Sequence, residues 1–231
     1  MRPRLPRHAR LPLLLNPAPC RGDPMAVTTR ARALAHAQRL AAFTVAWNLA
    51  EGAIAIAAAL AADSRALIGF GLDSAVESIS ATVLLWRLGA ERRDPDRADA
   101  VERVATRAIG VSFLLLAAFV AYDATRSLAT GDQPDTTAVG IVLTAVSLIV
   151  MPALARRKRR VATALGSRAA HADSAQTSAC AWLSAVVLAG LALNATLGWW
   201  WADPVAALGV VALLINEARE ALTTERLDDC C

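Results

Sequence analysis

The sequence predicts an all-α fold: a polytopic membrane protein with six transmembrane helices. Hydrophobic residues make up 56% of the 231 positions, and they arrive in blocks long enough to cross a bilayer rather than as an even scatter. Charged residues are confined to 19% of the chain and fall mainly between those blocks. At about 20 residues per crossing, six helices joined by short loops use nearly everything after residue 40 and leave no room for a large soluble domain. The sequence pI of about 9.3 does not point to nucleic acid, because the basic residues lie in short loops where they act as topology determinants.

Taken in order, residues 1–27 are rich in Arg and Pro and are expected to be a disordered extension, with Met25 as an alternative start. A transmembrane domain over 28–220 follows, and 221–231 form a charged tail. A short polar helix with Arg30, Arg32, His36 and Arg39 leads into the first span at 40–62. The second span, 66–88, follows a tight turn at 63–65. Residues 89–105 read as a charged loop interrupted by Pro95. The third and fourth spans run over 106–127 and 138–155, the latter stopping at the basic run 156–160. The fifth covers 172–198, the Trp199–Trp201 run forms an interfacial aromatic belt, and the sixth occupies 203–215. Basic residues precede the first span and follow the second, fourth and sixth. The positive-inside rule therefore places both termini in the cytoplasm, with an even number of crossings.

Asp73 and Glu77 lie four residues apart inside the second span. Four residues on a helix return to nearly the same face, so two carboxylates stand one turn apart in an apolar segment. Such a pair is costly to desolvate unless a cation, protons or buried partners answer it, which makes it a candidate ion site. Hydrogen bonding that merely holds the bundle together is the competing reading. Asn48 and Glu51, three apart on the first span, should also face the bundle. In the fifth span Asp173, Thr177 and Cys180 fall at i, i+4 and i+7 on one face, with Gln176 beside them. Carboxylate, hydroxyl and thiol donors together suit a divalent transition metal such as zinc, although small residues at these places also serve helix packing. At about 1.5 Å per residue, Thr177 and Cys180 match the depth of Glu77, whereas Asp173 lies nearer the cytoplasmic mouth. Cys20, Cys180, Cys230 and Cys231 lack the paired spacing of a structural zinc site.

The segments SRALIGFGLDSAVESISATVLLWRL (64–88) and ADSAQTSACAWLSAVVLAGLALNATLGWWWADPVAALGVVAL (172–213) resemble the second, fifth and sixth helices of the cation diffusion facilitator family of metal–proton antiporters. The resemblance covers about residues 40–220 and points to a short branch without the soluble C-terminal domain. It implies metal carboxylates at Asp73 and Glu77, with Glu in place of the more usual Asp. Where the family pattern has His-x-x-x-Asp on the fifth helix, this chain has Thr177 or Gln176 followed by Cys180 or Ala181. No Walker-type loop, HExxH or GxSxG occurs, so no enzyme is expected.

The expected function is secondary transport that exports a divalent cation, zinc first and cobalt or manganese next, in exchange for protons. The metal is then substrate, and no permanently bound cofactor is expected. Site residues would be Asp73, Glu77, Asp173, Thr177 and Cys180, with Asn48, Glu51 and Gln176 lining the path. The expected partners are divalent cations, protons and the lipid bilayer, with any homodimer formed through helix contacts. The alternative is a non-transporting scaffold or metal sensor that keeps the transporter fold.

Overall fold

The computed structural model describes residues 24–62, 65–131 and 137–223. Six long helices account for almost all of them: α1 (Pro24–Ala62), α2 (Arg65–Arg93), α3 (Ala98–Thr130), α4 (Ala138–Leu165), α5 (Arg168–Leu197) and α6 (Ala202–Thr223). One 3-10 turn, Pro95–Arg97, joins α2 to α3. No strand occurs among the described residues. Helices α1 to α5 are each long and apolar enough to cross a bilayer. The chain is an all-α, polytopic integral membrane protein. Helix α6, the sixth expected helix, carries an uncharged run, 204–216, of 13 residues before Glu217. That run is about 20 Å long, shorter than a hydrocarbon core of about 30 Å. Its place in the bundle comes from packing along α3 and, less extensively, α5.

The helices outrun the expected spans because hydropathy reports the membrane, whereas helix continues wherever propensity and capping allow. Helix α1 starts at Pro24 with the polar segment continuous with the span, while residues 1–23 lie outside the described residues. The expected loop at 89–105 is reduced to a few residues. Helix α2 runs on to Arg92 and Arg93, whose charges suit a helix C-terminus, and Asp94 caps the 3-10 turn by accepting from the Asp96 backbone N–H at 3.2 Å. Helix α4 passes through the basic run to Leu165, and α6 continues eight residues past 215. The tail from 224 onward lies outside the described residues. Thr137 and Ser167 cap α4 and α5, accepting from the Gly140 N–H at 3.0 Å and the Ala170 N–H at 3.1 Å. Gly166 ends α4 at φ 62°, a left-handed conformation that a side chain would strain.

The most extensive helix contacts pair α1 with α2, α3 with α6 and α4 with α5. Helix α1 buries Ala41, Thr44, Asn48, Glu51, Ala55 and Ala59, a stripe at spacings of three or four. Helix α4 buries Thr144, Ser147, Met151, Leu154, Lys158, Ala162 and Leu165 in the same rhythm. These stripes face α2 and α5, whose own inward faces carry the polar residues of the bundle centre. The α2–α3 and α4–α5 connections share one end, here the basic end. The α1–α2, α3–α4 and α5–α6 connections share the other, the turn end.

Candidate cation site

Helices α2 and α5 meet with their polar faces together. Asp73 and Glu77 are buried, Glu77 completely, and Thr177 and Cys180 on α5 are buried opposite them. The Thr177 hydroxyl donates to Glu77 Oε1 at 2.6 Å. The Cys180 thiol lies within hydrogen-bonding reach of both carboxylates and packs on Met151 and Leu154. The depth matching read from the sequence thus agrees with the register the helices adopt. Ser80, one turn beyond Glu77, donates to Asp173 Oδ1 at 3.3 Å.

Helix α1 adds a third carboxylate. Glu51 accepts from the Ser147 hydroxyl at 2.5 Å and lies close enough to Asp73 and Glu77 to feel their charge. Asn48 is buried and spends its amide N–H on the Thr44 carbonyl at 3.0 Å. Gln176 is buried with neither amide atom hydrogen-bonded. One oxygen each of Glu51, Asp73 and Glu77 likewise has no hydrogen-bond partner. Buried acceptors without donors are rare in folded proteins, and three acidic ones around one centre fit a cation or protons as the complement. Among the described residues no three His, Cys, Asp or Glu side chains are grouped closely enough to hold a metal by themselves. The Asp73–Glu77–Cys180 set is assembled here without being drawn together.

Asp173 is held apart from that set. Its carboxylate, fully buried, pairs with Lys158 Nζ at 2.8 Å. Lys158 also donates to Thr177 Oγ1 at 2.9 Å. The sequence reading missed Lys158, because the run 156–160 reads as a loop of topology determinants. Within the continuing helix, Lys158 falls on the buried stripe while Arg156, Arg157, Arg159 and Arg160 point outward. A signal was present: Lys158 is the only lysine in a chain whose Lys and Arg total 24. A compact ammonium fits a buried slot that a guanidinium fork would overfill.

A cavity of about 160 Å³ runs from Asp73 past Thr144 and Ser184 to Asp123 and Asp203 at the turn end. The basic end is closed by charge. Arg87, buried, pairs with Glu91 at 2.5 Å and with Glu102, and Glu102 accepts from the Ser167 hydroxyl at 2.9 Å and the Ala169 N–H at 2.8 Å. Arg30 reaches Glu91 from α1 at 2.6 Å.

Residues 41–226 match the cation efflux transmembrane domain family. The chain belongs to the cation efflux family. An uncharacterized transporter of Synechocystis sp. (strain ATCC 27184 / PCC 6803 / Kazusa) is 30% identical over 152 residues, 64% of this chain and 49% of the relative. The chain therefore spans about half the length of that relative.

Proposed function

We propose that this cation efflux protein is a secondary transporter that exports a divalent metal cation, zinc above all, in exchange for protons. The observation that carries this reading is the buried Asp73–Glu77 pair, one helical turn apart, each with an oxygen lacking a donor and with the Cys180 thiol in reach of both. Two carboxylates balance one divalent charge, and a thiol adds a soft donor that favours zinc over manganese. Protons compete with a metal for the same oxygens and sulfur, so loading from one side and protonation from the other can drive release. Alternating access would come from rocking of the helices around this centre.

The sensor or scaffold reading has one observation in its favour: the donors are not drawn together in this conformation. Flux decides between the two. In proteoliposomes with an imposed pH gradient, the parent should move zinc faster than cobalt or manganese, with counterflow of protons. Asp73→Asn keeps the shape and removes the charge, and should lower zinc flux by about two orders of magnitude or more. Parent protein that inserts and binds zinc yet moves none under any gradient would establish the sensor reading.

A further inference from the structure

The Lys158–Asp173 pair sits directly on the basic-end side of the candidate site and touches it through Thr177. The order of contacts is continuous. Asp173 accepts from Lys158 at 2.8 Å, Lys158 donates to Thr177 Oγ1 at 2.9 Å, and Thr177 donates to Glu77 at 2.6 Å. Lys158 and Asp173 are both buried, and the void beside them, walled by Leu40, Leu84 and Ala162, is only about 10 Å³. That volume is at the lower limit for one water, so no solvent shell screens the ammonium.

Asp173 precedes Thr177 by one turn on the same face of α5. Without Lys158 it would be an unanswered carboxylate close enough to Glu77 for their charges to repel. With Lys158 in place its charge is already answered. The Thr177 hydroxyl is committed as well: it accepts from the ammonium and gives its proton to Glu77, so its orientation is fixed by Lys158 rather than by a cargo. The ammonium also places one positive charge next to the position a metal would take, in a region where charges are weakly screened.

We propose that Lys158 is the affinity-setting residue of this site, a tethered cation that withholds Asp173 and Thr177 from the cargo and keeps binding at Asp73 and Glu77 loose enough to reverse. This rests on the cation-site reading above. A transporter needs a site tight enough to load and weak enough to unload, and a lysine built into the donor set moves that balance toward release.

The test measures zinc affinity of the purified full-length chain by calorimetric titration in detergent, alongside zinc flux in proteoliposomes. Lys158→Met removes the charge and frees Asp173. It should bind zinc about tenfold more tightly than the parent, and KM and kcat for flux should fall together. Lys158→Met combined with Asp173→Asn removes the freed carboxylate and should return the affinity to within about threefold of the parent. If Lys158→Met fails to fold, Lys158→Gln, which keeps a hydrogen bond to Asp173, takes its place in the same comparison. Folded single variants that bind zinc no more tightly than the parent overturn the inference, and so does a double variant as tight as the single one. Failure of the site reading looks different: zinc binding of the parent would survive Asp73→Asn. If neither parent nor variants bind zinc, both fall.

Discussion

The two ends of the bundle solve helix packing by different chemistry. At the turn end, α1 and α2 close on Ala55, Ala59 and Leu67, and α5 meets α6 where Gly190 faces Asp203. Small and apolar side chains do the packing there, and a cavity still reaches from Asp203 down to Asp73. At the basic end the seal is electrostatic. Arg87, Glu91, Glu102 and Arg30 link α1, α2 and α3 to the start of α5, and Lys158–Asp173 ties α4 to α5 beneath the site. Ion pairs separate readily once water reaches them, because both charges regain hydration, whereas apolar contacts lose by being wetted. The contrast teaches that space reaches Asp73 from the turn end while Glu77 stays fully buried, and that the opposite end is held shut by ion pairs.

The sharpest way to break that contrast is at Glu102. One carboxylate there receives Arg87, the Ser167 hydroxyl and the Ala169 N–H at the start of α5. Glu102→Ala leaves a buried guanidinium with only Glu91 and strips the α5 N-terminus of its anion. The expected loss is about 3 kcal/mol of stability, read as a fall in the thermal unfolding midpoint in detergent. A variant that unfolds at the parent temperature would show that the basic end is not held by these charges.

How far the sequence led depended on what each side chain's environment revealed. Asn48 and Glu51 and the pair Asp73, Glu77 were legible because polar residues inside apolar spans have few reasons to be there, and helical spacing places them. Thr177 was legible as a neighbour of Glu77 because rise per residue converts position into depth. Lys158, Arg87 and Glu102 were not. Charged residues near span ends read as solvated loop, and only the three-dimensional continuation of α2, α3 and α4 shows that one face of each is buried. The same blind spot hid the partner of Asp173, Lys158, because the run 156–160 reads as solvated loop.

Gly190 sharpens the turn-end side of the comparison. A Cβ at this position would lie 2.4 Å from Asp203 Cβ and 3.0 Å from its Cα, so a flexible side-chain tip cannot absorb the clash. Gly190→Ala must push the first turn of α6 off α5, at a cost of about 1–3 kcal/mol. Because Asp203 lines the cavity, labelling of a cysteine placed at Asp123 should change rate in the variant. An unchanged midpoint and an unchanged labelling rate together would mean that the two helices are not in close contact here.

The smallest expected effect lies at Glu217, where α6 leaves its apolar run and enters a groove of about 730 Å³ shared with Arg159, His171 and Trp182. Burial, with Glu220 adding repulsion, raises its carboxyl above the ordinary glutamate value, while Arg159 offsets part of this. A carboxyl that holds its proton more strongly folded than unfolded costs stability when ionised. The cost is fully present above the raised value and is relieved as pH falls through it, since the folded state takes up the proton first. Glu217→Gln removes the ionisation, so it should raise the unfolding midpoint by about 1–2 °C near neutral pH. The gain should shrink as the pH approaches the ordinary glutamate range of about 4–5, where the parent carboxyl is protonated as well. A gain of equal size at both pH values would assign the effect to the amide's hydrogen bonding instead of to charge. A lower midpoint at neutral pH would mean that the pairing with Arg159 outweighs burial, placing this groove with the ion-paired basic end.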